Sequence, residues 1–366
     1  MNVLISGAGQ AGLALAFNLG TRSHQVTVVE YASHLRVNGS PIDIRGDAIA
    51  ITDRMGLLTK VLDKRVHMTE QIVWVDGDGA VVARSPAEEF SDSGDDIEIP
   101  REDLSRILSD ALPVGVTIRF QDSIDALADD GDGVDVRFIS GNRERFDLVF
   151  GADGLHSAVR RLTFGPERDY IRHLGLYVAL FDVPGESQPN GPSPAHNFPG
   201  RLASIGRFND KALGAFIFRS DLIDYDYHDI GAGKKILSDA YGGYASWKVP
   251  QLLEAALADG DLYFDSVSQI HMPAWHKGRI ALLGDAAHCA TLLSGRGTSL
   301  AFTGAYFLAE ELERSGGDPA AAFPRYEARQ RPYVTFAQDS AHYGGDVLVP
   351  ATWEAITERN QSFQVR

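Results

Sequence analysis

The sequence feature that most constrains the fold is the run Gly7-Ala8-Gly9-Gln10-Ala11-Gly12, which joins two segments of different character. Val3-Leu4-Ile5 before it is a short apolar run typical of a buried parallel strand, and the residues from Leu13 to Phe17 after it form helices readily. A strand, a tight turn and a helix in this order predict the first βαβ unit of an open, mostly parallel sheet.

The three glycines of this turn suit a bound dinucleotide. Gly7 permits the turn, Gly9 lets the backbone approach a pyrophosphate, and Gly12 lets the helix pack closely on the strand. A second strand, residues 25–29, then ends in Glu30, whose carboxylate can accept the two hydroxyls of an adenosine ribose. The glycine pattern alone is a weak signal, and the strand, the helix and the acid around it are what predict a dinucleotide site.

A second glycine-bearing segment follows another apolar strand. Leu148-Val149-Phe150 leads into Gly151-Ala152-Asp153-Gly154. An aspartate in such a turn can accept hydrogen bonds from backbone N–H groups and hold the loop against a pyrophosphate. An ordinary turn before a helix explains the same residues, and this segment alone leaves both interpretations open.

The third segment lies near the end of the chain. Residues 279–283 predict a strand that ends in Gly284-Asp285, and Gly295-Arg296-Gly297-Thr298 precedes a predicted helix over 300–312. An aspartate at a strand end can hold a ribityl hydroxyl. The N–H groups that begin the helix would point at an electron-rich acceptor, which in a flavin is the N1/O2 edge, where negative charge collects on reduction.

In this order and at this spacing, the three segments resemble the fingerprint, the DG motif and the GD motif of the class A flavin monooxygenases. This aromatic-hydroxylase family includes para-hydroxybenzoate hydroxylase and the tetracycline-degrading monooxygenases, and the resemblance covers most of the chain. One departure is visible. Family members usually carry a proline a few residues after the Gly-Asp-Ala-Ala-His run, where this chain has residues 290–293, Ala-Thr-Leu-Leu.

The resemblance implies an α/β fold in which a Rossmann-like FAD-binding domain carries an inserted, mostly β substrate domain and a C-terminal helix. The pattern of apolar runs agrees, because short alternating segments dominate the region from about 172 to 270. The predicted boundaries are 1–70, 97–171 and 272–334 for the FAD-binding domain, 71–96 and 172–271 for the substrate domain, and 335–366 for the C-terminal helix.

The resemblance also implies which residues contact FAD. Glu30 would bind the adenosine ribose, and Asp285 would contact the ribityl chain or the pyrophosphate. Arg101 would reach the flavin from a helix that begins near Pro100. The full predicted set is Gly7, Gly9, Gln10, Ala11, Gly12, Glu30, Arg36, Arg101, Asp153, Gly154, Asp285, Gly295, Gly297 and Thr298.

The substrate side of the site is less defined by the sequence. Arg45 is the catalytic candidate, facing the flavin or a phenolate, and a solvated loop arginine is an equally good interpretation. Phe181, Phe216 and Phe218 are predicted to line an aromatic pocket, although aromatic residues at strand spacing also form plain core. No metal site is predicted.

Composition restricts the classes of partner. The net charge of −16 and the pI near 5.1 argue against nucleic acid and anionic membranes. Cys289 is the only cysteine, so the Cys-x-x-Cys disulfide reductases are excluded. No apolar run approaches the roughly 20 residues of a membrane span, and no leader opens the chain, so we expect a cytoplasmic protein. Both a monomer and a homodimer fit the sequence.

The activity implied by the resemblance is that of a monooxygenase. NADPH or NADH would reduce FAD, O2 would add at the flavin C4a position, and the hydroperoxide would oxygenate an aromatic or polycyclic small molecule. Hydroxylation is expected first, in antibiotic inactivation or natural-product tailoring. The alternatives are an FAD-dependent reductase of isoprenoid double bonds and a flavin-binding protein without turnover. A flavin halogenase is disfavoured because no Trp-x-Trp-x-Ile-Pro run is present.

Overall fold

A computed structural model describes residues 1–35, 39–86, 89, 91–189 and 191–364. Its first layer is a six-stranded sheet with β1 near the centre. Parallel neighbours β2 and β11 flank β1, β7 and β18 extend the sheet in parallel, and β17 closes one edge antiparallel. The strands are β1 (Asn2–Ser6), β2 (Gln25–Glu30), β7 (Val116–Phe120), β11 (Leu148–Gly151), β17 (His276–Lys277) and β18 (Ile280–Leu282).

Helices cover this sheet and complete the α/β layer. The predicted fold class is confirmed, because the glycine turn joins β1 to α1 as expected and both pack in one hydrophobic core. The helices of this part are α1 (Gln10–Gly20), α2 (Asp47–Arg54), α3 (Leu58–Leu62), α4 (Arg101–Asp110), α5 (Ala158–Phe164), α8 (Asp285–His288) and α9 (Gly297–Arg314). Two small sheets accompany them, β3 (Ile42–Ile44) with β6 (Ile97–Ile99), and β8 (Ile124–Asp129), β9 (Val134–Phe138) and β10 (Arg143–Phe146).

The second layer is a seven-stranded sheet in the order β16-β12-β15-β14-β13-β4-β5. It contains the predicted β-rich region, and the hairpin β4–β5 joins it from a distant part of the chain through a parallel pairing of β4 with β13. Its strands are β4 (Ile72–Val75), β5 (Val81–Arg84), β12 (Ile171–Asp182), β13 (Ser193–Phe198), β14 (Arg201–Phe208), β15 (Lys211–Arg219) and β16 (Tyr263–Ile270).

The two faces of this sheet are both covered, by different elements. Helices α6 (Ile230–Tyr241) and α7 (Val249–Ala258) pack on one side, called here the outer face. The opposite side, called here the inner face, bears Leu176, Leu202 and Ile217 and packs against residues from the C-terminal part of the chain. Since side chains alternate along a strand, each residue's parity fixes the face on which it lies.

A C-terminal helix is present, but its predicted start at residue 335 is wrong. The chain forms α10 (Pro319–Leu348) and then α11 (Trp353–Gln364). Helix α10 begins earlier because Asp318 caps it, accepting a hydrogen bond from the Ala320 N–H at 3.0 Å. It ends at Leu348 because Pro350 disfavours a helical conformation for Val349, the residue before it. No helix among the residues described combines the length and the apolar character that a membrane crossing requires.

His156 joins the two layers through a partly buried charged contact. Its Nδ1 lies 2.9 Å from Glu167 Oε1, and its Nε2 lies 3.3 Å from Asp265 Oδ2 on β16. Its ring also stacks on Tyr227 at 3.8 Å between centroids. Burial alone would lower the pKa of His156, but the hydrogen bonds to Asp265 and Glu167 outweigh burial and raise it to about 9.

The raised pKa of His156 predicts that this contact is lost at alkaline pH. A charged His156 stabilises the fold fully below pH 6.5 and progressively less as pH rises through about 9. We expect His156→Asn to lower the free energy of unfolding by about 2 kcal/mol at pH 7. Urea unfolding at pH 7 and pH 10 should show the gap between wild type and variant closing. A gap of constant size would contradict a charged imidazole.

Candidate functional site

The first glycine turn has the close approaches that its sequence predicts. Gly7 adopts a φ of +101°, and a Cβ there would overlap the carbonyl group of Ala152 in the second segment. A Cβ on Gly12 would overlap the Gly7 carbonyl oxygen. Gly9, which precedes the first turn of α1, differs from both, because nothing lies within 4 Å of its Cβ position. The backbone at Gly9 is therefore open to a ligand.

Glu30 lies beside this turn at the end of β2. Its Oε2 accepts a hydrogen bond from the Ala8 N–H at 2.9 Å, and its Oε1 accepts one from the Ala32 N–H at the same distance. Each carboxylate oxygen has a further lone pair, so both can still accept a hydroxyl. The structure thus places Glu30 at the carboxyl end of β2, beside the first glycine turn, and its contact with a ribose stays a prediction.

Gln10 and Arg101 connect the first turn to α4. The Gln10 amide donates to Ser105 Oγ at 2.9 Å and to the Arg101 carbonyl at 3.4 Å. Its side chain is buried, yet Oε1 has no hydrogen-bond partner among the described residues. A buried acceptor of this kind fits a site that holds a polar ligand. Arg36 lies outside the described residues.

The second segment is shaped by Asp153. Its carboxylate accepts hydrogen bonds from Ser157 Oγ at 2.5 Å, from the Val159 N–H at 3.1 Å and from Ser6 Oγ at 3.4 Å. Burial raises the pKa of Asp153, and these hydrogen bonds oppose that shift. Asp153 therefore fixes the turn next to the end of β1, while Gly154 follows it with a φ of +80° and open space around it.

Arg160 links the second segment to the third, and sequence reasoning did not identify it as this link. Its side chain is fully buried and donates to the Ala286 carbonyl at 2.9 Å and to Glu167 Oε2 at 2.7 Å. A fully buried arginine is rare in proteins unless its charge is paired. The sequence feature that indicates this position is the spacing of three residues between Ser157 and Arg160. Ser157 caps α5, because its Oγ accepts a hydrogen bond from the Arg160 N–H.

The third segment packs against the first. Gly284 has a φ of +59°, and a Cβ there would lie 2.8 Å from the Cβ of Ala11 on α1. Asp285 follows as the first residue of α8. Asp285 is solvent-accessible, but protein atoms surround its carboxylate. The resulting loss of hydration raises the pKa of Asp285, and the charge of Arg101 opposes that shift. Arg101 and Asp285 are thus electrostatic neighbours across the candidate cleft.

Gly295 and Gly297 lie where α9 begins. Gly295 has a φ of +60°, and its Cβ position lies 3.0 Å from an Arg45 guanidinium nitrogen. Gly297 starts the helix with open space around it, and Thr298 is buried behind it. The Arg45 N–H donates to Ser299 Oγ at 2.9 Å. The structure therefore brings Arg45, Gly295, Gly297 and Thr298 together at one helix N-terminus.

Arg45 is not a solvated loop arginine. Only 9% of its side chain is exposed, and a guanidinium nitrogen donates to Asp43 Oδ2 at 3.0 Å. Asp92 and Asp96 approach it at 3.7 and 3.8 Å. Asp92 also forms an ion pair with Arg296 in the turn itself, at 2.5 Å between Nη2 and Oδ1. The acidic loop that contains Asp92 and Asp96 thus lies directly against this turn. The sequence alone does not connect the loop to the turn.

Two carboxyl groups near Arg45 have unusual acidity. Burial raises the pKa of Asp43 to about 6, partly offset by Arg45, and burial raises that of Glu98 to about 7. The two residues are direct cross-strand partners in β3 and β6. Glu98 also accepts hydrogen bonds from the Thr69 N–H and hydroxyl at 3.1 and 3.2 Å. Both groups can therefore change protonation near neutral pH.

The three predicted pocket aromatics, Phe181, Phe216 and Phe218, are placed elsewhere. They lie on the outer face of the seven-stranded sheet, at most 3% exposed, in the core beneath α6 and α7. Ring centroids of Phe181 and Phe216 are 5.3 Å apart, and Phe216 lies 4.1 Å from Tyr241 of α6. Because the helices cover this face, the structure gives these side chains a packing role, contrary to the prediction.

The comparisons with known proteins agree with this geometry. Residues 1–198 match a family model described as an FAD binding domain. A flavin-dependent monooxygenase of Legionella longbeachae is 36% identical over 340 residues, which cover 91% of this chain and 86% of the relative. The crystal structure of the tetracycline destructase Tet(51) has a TM-score of 0.88 at 32% identity and covers 100% of this chain and 95% of that one.

The chain belongs to the family of FAD-binding monooxygenases. FAD is the cofactor of this family, and the residues described above fit it. Gly9 leaves its backbone open for a pyrophosphate, Glu30 lies beside it for the ribose, and Gln10 has an unused buried acceptor. The contacts of individual residues with FAD stay predictions.

The open space at Gly9 predicts a variant that separates cofactor binding from folding. Gly9→Ala should fold as wild type, because its methyl group meets no protein atom, and should bind FAD at least roughly tenfold more weakly, because the methyl group occupies the approach to the pyrophosphate. Flavin fluorescence titration of the apoprotein measures the affinity. Gly243→Ala is the matched control, since Gly243 is exposed and equally open. Unchanged affinity in Gly9→Ala would place the pyrophosphate elsewhere.

The raised pKa of Glu98 predicts a second pH effect. A raised carboxyl pKa destabilises the fold as pH rises from 4.5 through about 7, where the buried group becomes charged. Glu98→Gln removes that charge, so we expect it to gain up to about 3 kcal/mol of unfolding free energy over wild type between pH 4.5 and pH 8. Urea unfolding at both pH values measures the difference. Glu254→Gln, an exposed position, should show none.

Proposed function

We propose that the chain is an NADPH- or NADH-dependent monooxygenase that transfers one oxygen atom from O2 to an aromatic or polycyclic small molecule, with hydroxylation as the expected reaction. When bound, FAD supplies the electron transfer from the nicotinamide to O2. The observation that carries the proposal is the position of the Gly295–Gly297 turn, which meets the inner face of the seven-stranded sheet. The division into FAD-binding and substrate domains is part of this proposal.

Leu293 makes that connection. It lies two residues before Gly295 and packs on the inner-face cluster that contains Leu176, Leu202 and Ile217. A Cβ on Gly344 of α10 would lie 2.5 Å from the Leu293 carbonyl oxygen, so α10 presses on the same segment. The flavin ring predicted at this turn would therefore lie against the inner face and under α10.

The inner face is partly open along one strip. Leu180, Ser204 and Ala215 are cross-strand neighbours on β12, β14 and β15, through the pairs Leu180–Ala215 and Ser204–Ala215. All three are partly exposed, although most of the sheet is buried. Two of the three side chains are small. We propose that this strip, and not the outer-face phenylalanines, contacts the substrate.

Arg45 and the first turn of α9 supply positive charge at this turn, which Asp43, Asp92 and Asp96 partly balance. A guanidinium group and helix N–H groups stabilise negative charge on an electron-rich acceptor placed between them. Asp43 is bonded to Arg45 and has a pKa of about 6, so it can hold or release a proton beside that acceptor. These groups would orient the cofactor and balance its charge, while the sheet and α10 exclude water.

The similarity to a tetracycline destructase over the whole chain supports a polycyclic substrate. Tetracycline is therefore the first test compound, with simple phenols as the second group. Antibiotic inactivation or natural-product tailoring would be the setting. Both use the same transfer of one oxygen atom, so the test does not depend on which one applies.

The test is a visible spectrum of the purified flavoprotein with NADPH under anaerobic conditions, followed by isotopically labelled O2 and tetracycline. Bleaching of the flavin and one labelled oxygen in the product support the proposal. Anaerobic reoxidation of the bleached flavin by an isoprenoid alkene, added in place of O2 and tetracycline, would favour a double-bond reductase. A flavin that neither NADPH nor NADH bleaches, with tetracycline or phenols present, would favour a binding protein without turnover.

Substrate placement on the inner face predicts the effect of filling it. Ala215→Phe should raise the KM for substrate at least roughly tenfold, because the added ring occupies the strip, while FAD affinity stays unchanged. Substrate-dependent NADPH oxidation measures the KM. Phe216→Leu on the outer face is the control, and it should lower the unfolding free energy by about 1 kcal/mol without changing the KM. A KM changed by Phe216→Leu alone would assign the substrate to the outer face.

A further inference from the structure

A cavity of about 330 Å³ lies outside the proposed flavin and substrate positions. It is bounded by the start of β12, the segment after β16, the end of α8 and the middle of α10. None of the predicted FAD contacts lines it, and neither does the inner-face strip. The residues that line it include Arg172, Met272, Trp275, His288, Arg331 and Val334.

The cavity lining is cationic and apolar. Arg172 is exposed at its edge, and the Arg331 guanidinium lies 4.7 Å from the centroid of the Trp275 ring. No carboxylate lines the cavity in the described part of the chain, although Glu327 Oε1 accepts from Arg331 Nε at 2.9 Å. Arg331 Nη2 also donates to the Met272 and Pro273 carbonyls at 3.3 and 2.7 Å. Met272, Trp275 and Val334 supply an apolar wall.

His288 lies at the inner end of the cavity, and its ring nitrogens are unusual in having no hydrogen-bond partner among the described residues. His288 is 1% exposed. Burial lowers the pKa of His288 to about 3, so the imidazole is neutral and carries one donor and one acceptor. It packs on Trp275 at 4.6 Å between ring centroids. Buried polar atoms without partners are rare in folded proteins, and a ligand with a polar group would satisfy them.

We propose that this cavity binds a small aromatic carboxylate. The carboxylate would lie between Arg172 and Arg331, the ring would contact Met272 and Val334, and a ring substituent would reach His288. Two arginines in the lining suit a planar anion, and the apolar wall suits an aromatic body better than a bare phosphate. The proposal does not depend on the proposed oxygenation, because no residue of that site takes part.

The cavity wall is also joined to the third flavin segment. The Gln338 side chain, which lines the cavity, donates from Nε2 to the Ile270 carbonyl at 2.9 Å and to the Cys289 carbonyl at 3.2 Å. Cys289 directly follows α8, the helix that begins with Asp285. A ligand that contacts Gln338 would therefore be linked, through the Gln338–Cys289 hydrogen bond, to the segment that carries a predicted FAD contact, without contacting FAD itself.

The experiment is a calorimetric titration of the FAD-loaded protein with benzoate, in wild type and four variants. Arg172→Gln removes the entrance charge, and we expect it to weaken benzoate binding at least roughly tenfold. Val334→Phe fills the cavity, and we expect it to abolish binding. Arg168→Gln is the matched control, because Arg168 is an exposed arginine that does not line the cavity. It should bind benzoate as wild type does.

The fourth variant separates this cavity from the proposed substrate site. Benzoate that binds Ala215→Phe as tightly as wild type supports the cavity, whereas binding lost in Ala215→Phe and kept in Arg172→Gln would overturn the proposal. Equal affinity for benzyl alcohol, the neutral counterpart, would also overturn it, since the arginines would then have no part. Because Arg172 is exposed, its variant keeps the test valid even where Val334→Phe does not fold.

Discussion

The rest of the structure depends on a backbone contact between the first and second glycine segments. Gly12 of α1 lies against the Gly7 carbonyl, and Gly7 lies against Ala152 after β11. Any side chain at these two glycines would separate α1 from β1 or β1 from the second turn. Because β1 is paired with both β2 and β11, this contact sets the positions of Glu30 and Asp153 at the same edge of the sheet.

Buried charges then hold the remaining parts to that edge. Arg160 joins the second segment to α8, His156 joins it to β16 of the second sheet, and Arg45 joins the acidic loop to the start of α9. Removing one partner of a buried pair leaves the other charge without compensation, which costs far more than an exposed pair contributes. The site is thus positioned by polar contacts that the apolar pattern does not specify.

The sequence predicts well what depends on local pattern. The strand–turn–helix order around Gly7, the ends of β2, β11 and β18, and the alternation in the second sheet are all local signals, and the structure bears them out. It predicts poorly what depends on distant partners. The parity of Phe181, Phe216 and Phe218 puts them on one face but does not say which, since both faces are covered. The local sequence fits a solvent-exposed Arg45 equally well, because Asp92, Asp96 and Gly295, which help to enclose it, lie far along the chain.

The order of the segments in the chain has a consequence for biosynthesis. Gly7, Asp153 and Gly295 belong to the three segments that are predicted to hold FAD, but they leave the ribosome far apart in time. Strands β1, β2, β7 and β11 can pair once about 150 residues have emerged. The turn before α9 is synthesised only after nearly 300 residues. The FAD site predicted from these three segments therefore cannot be complete on the nascent chain until residue 297 has been made, and cofactor insertion would follow that point.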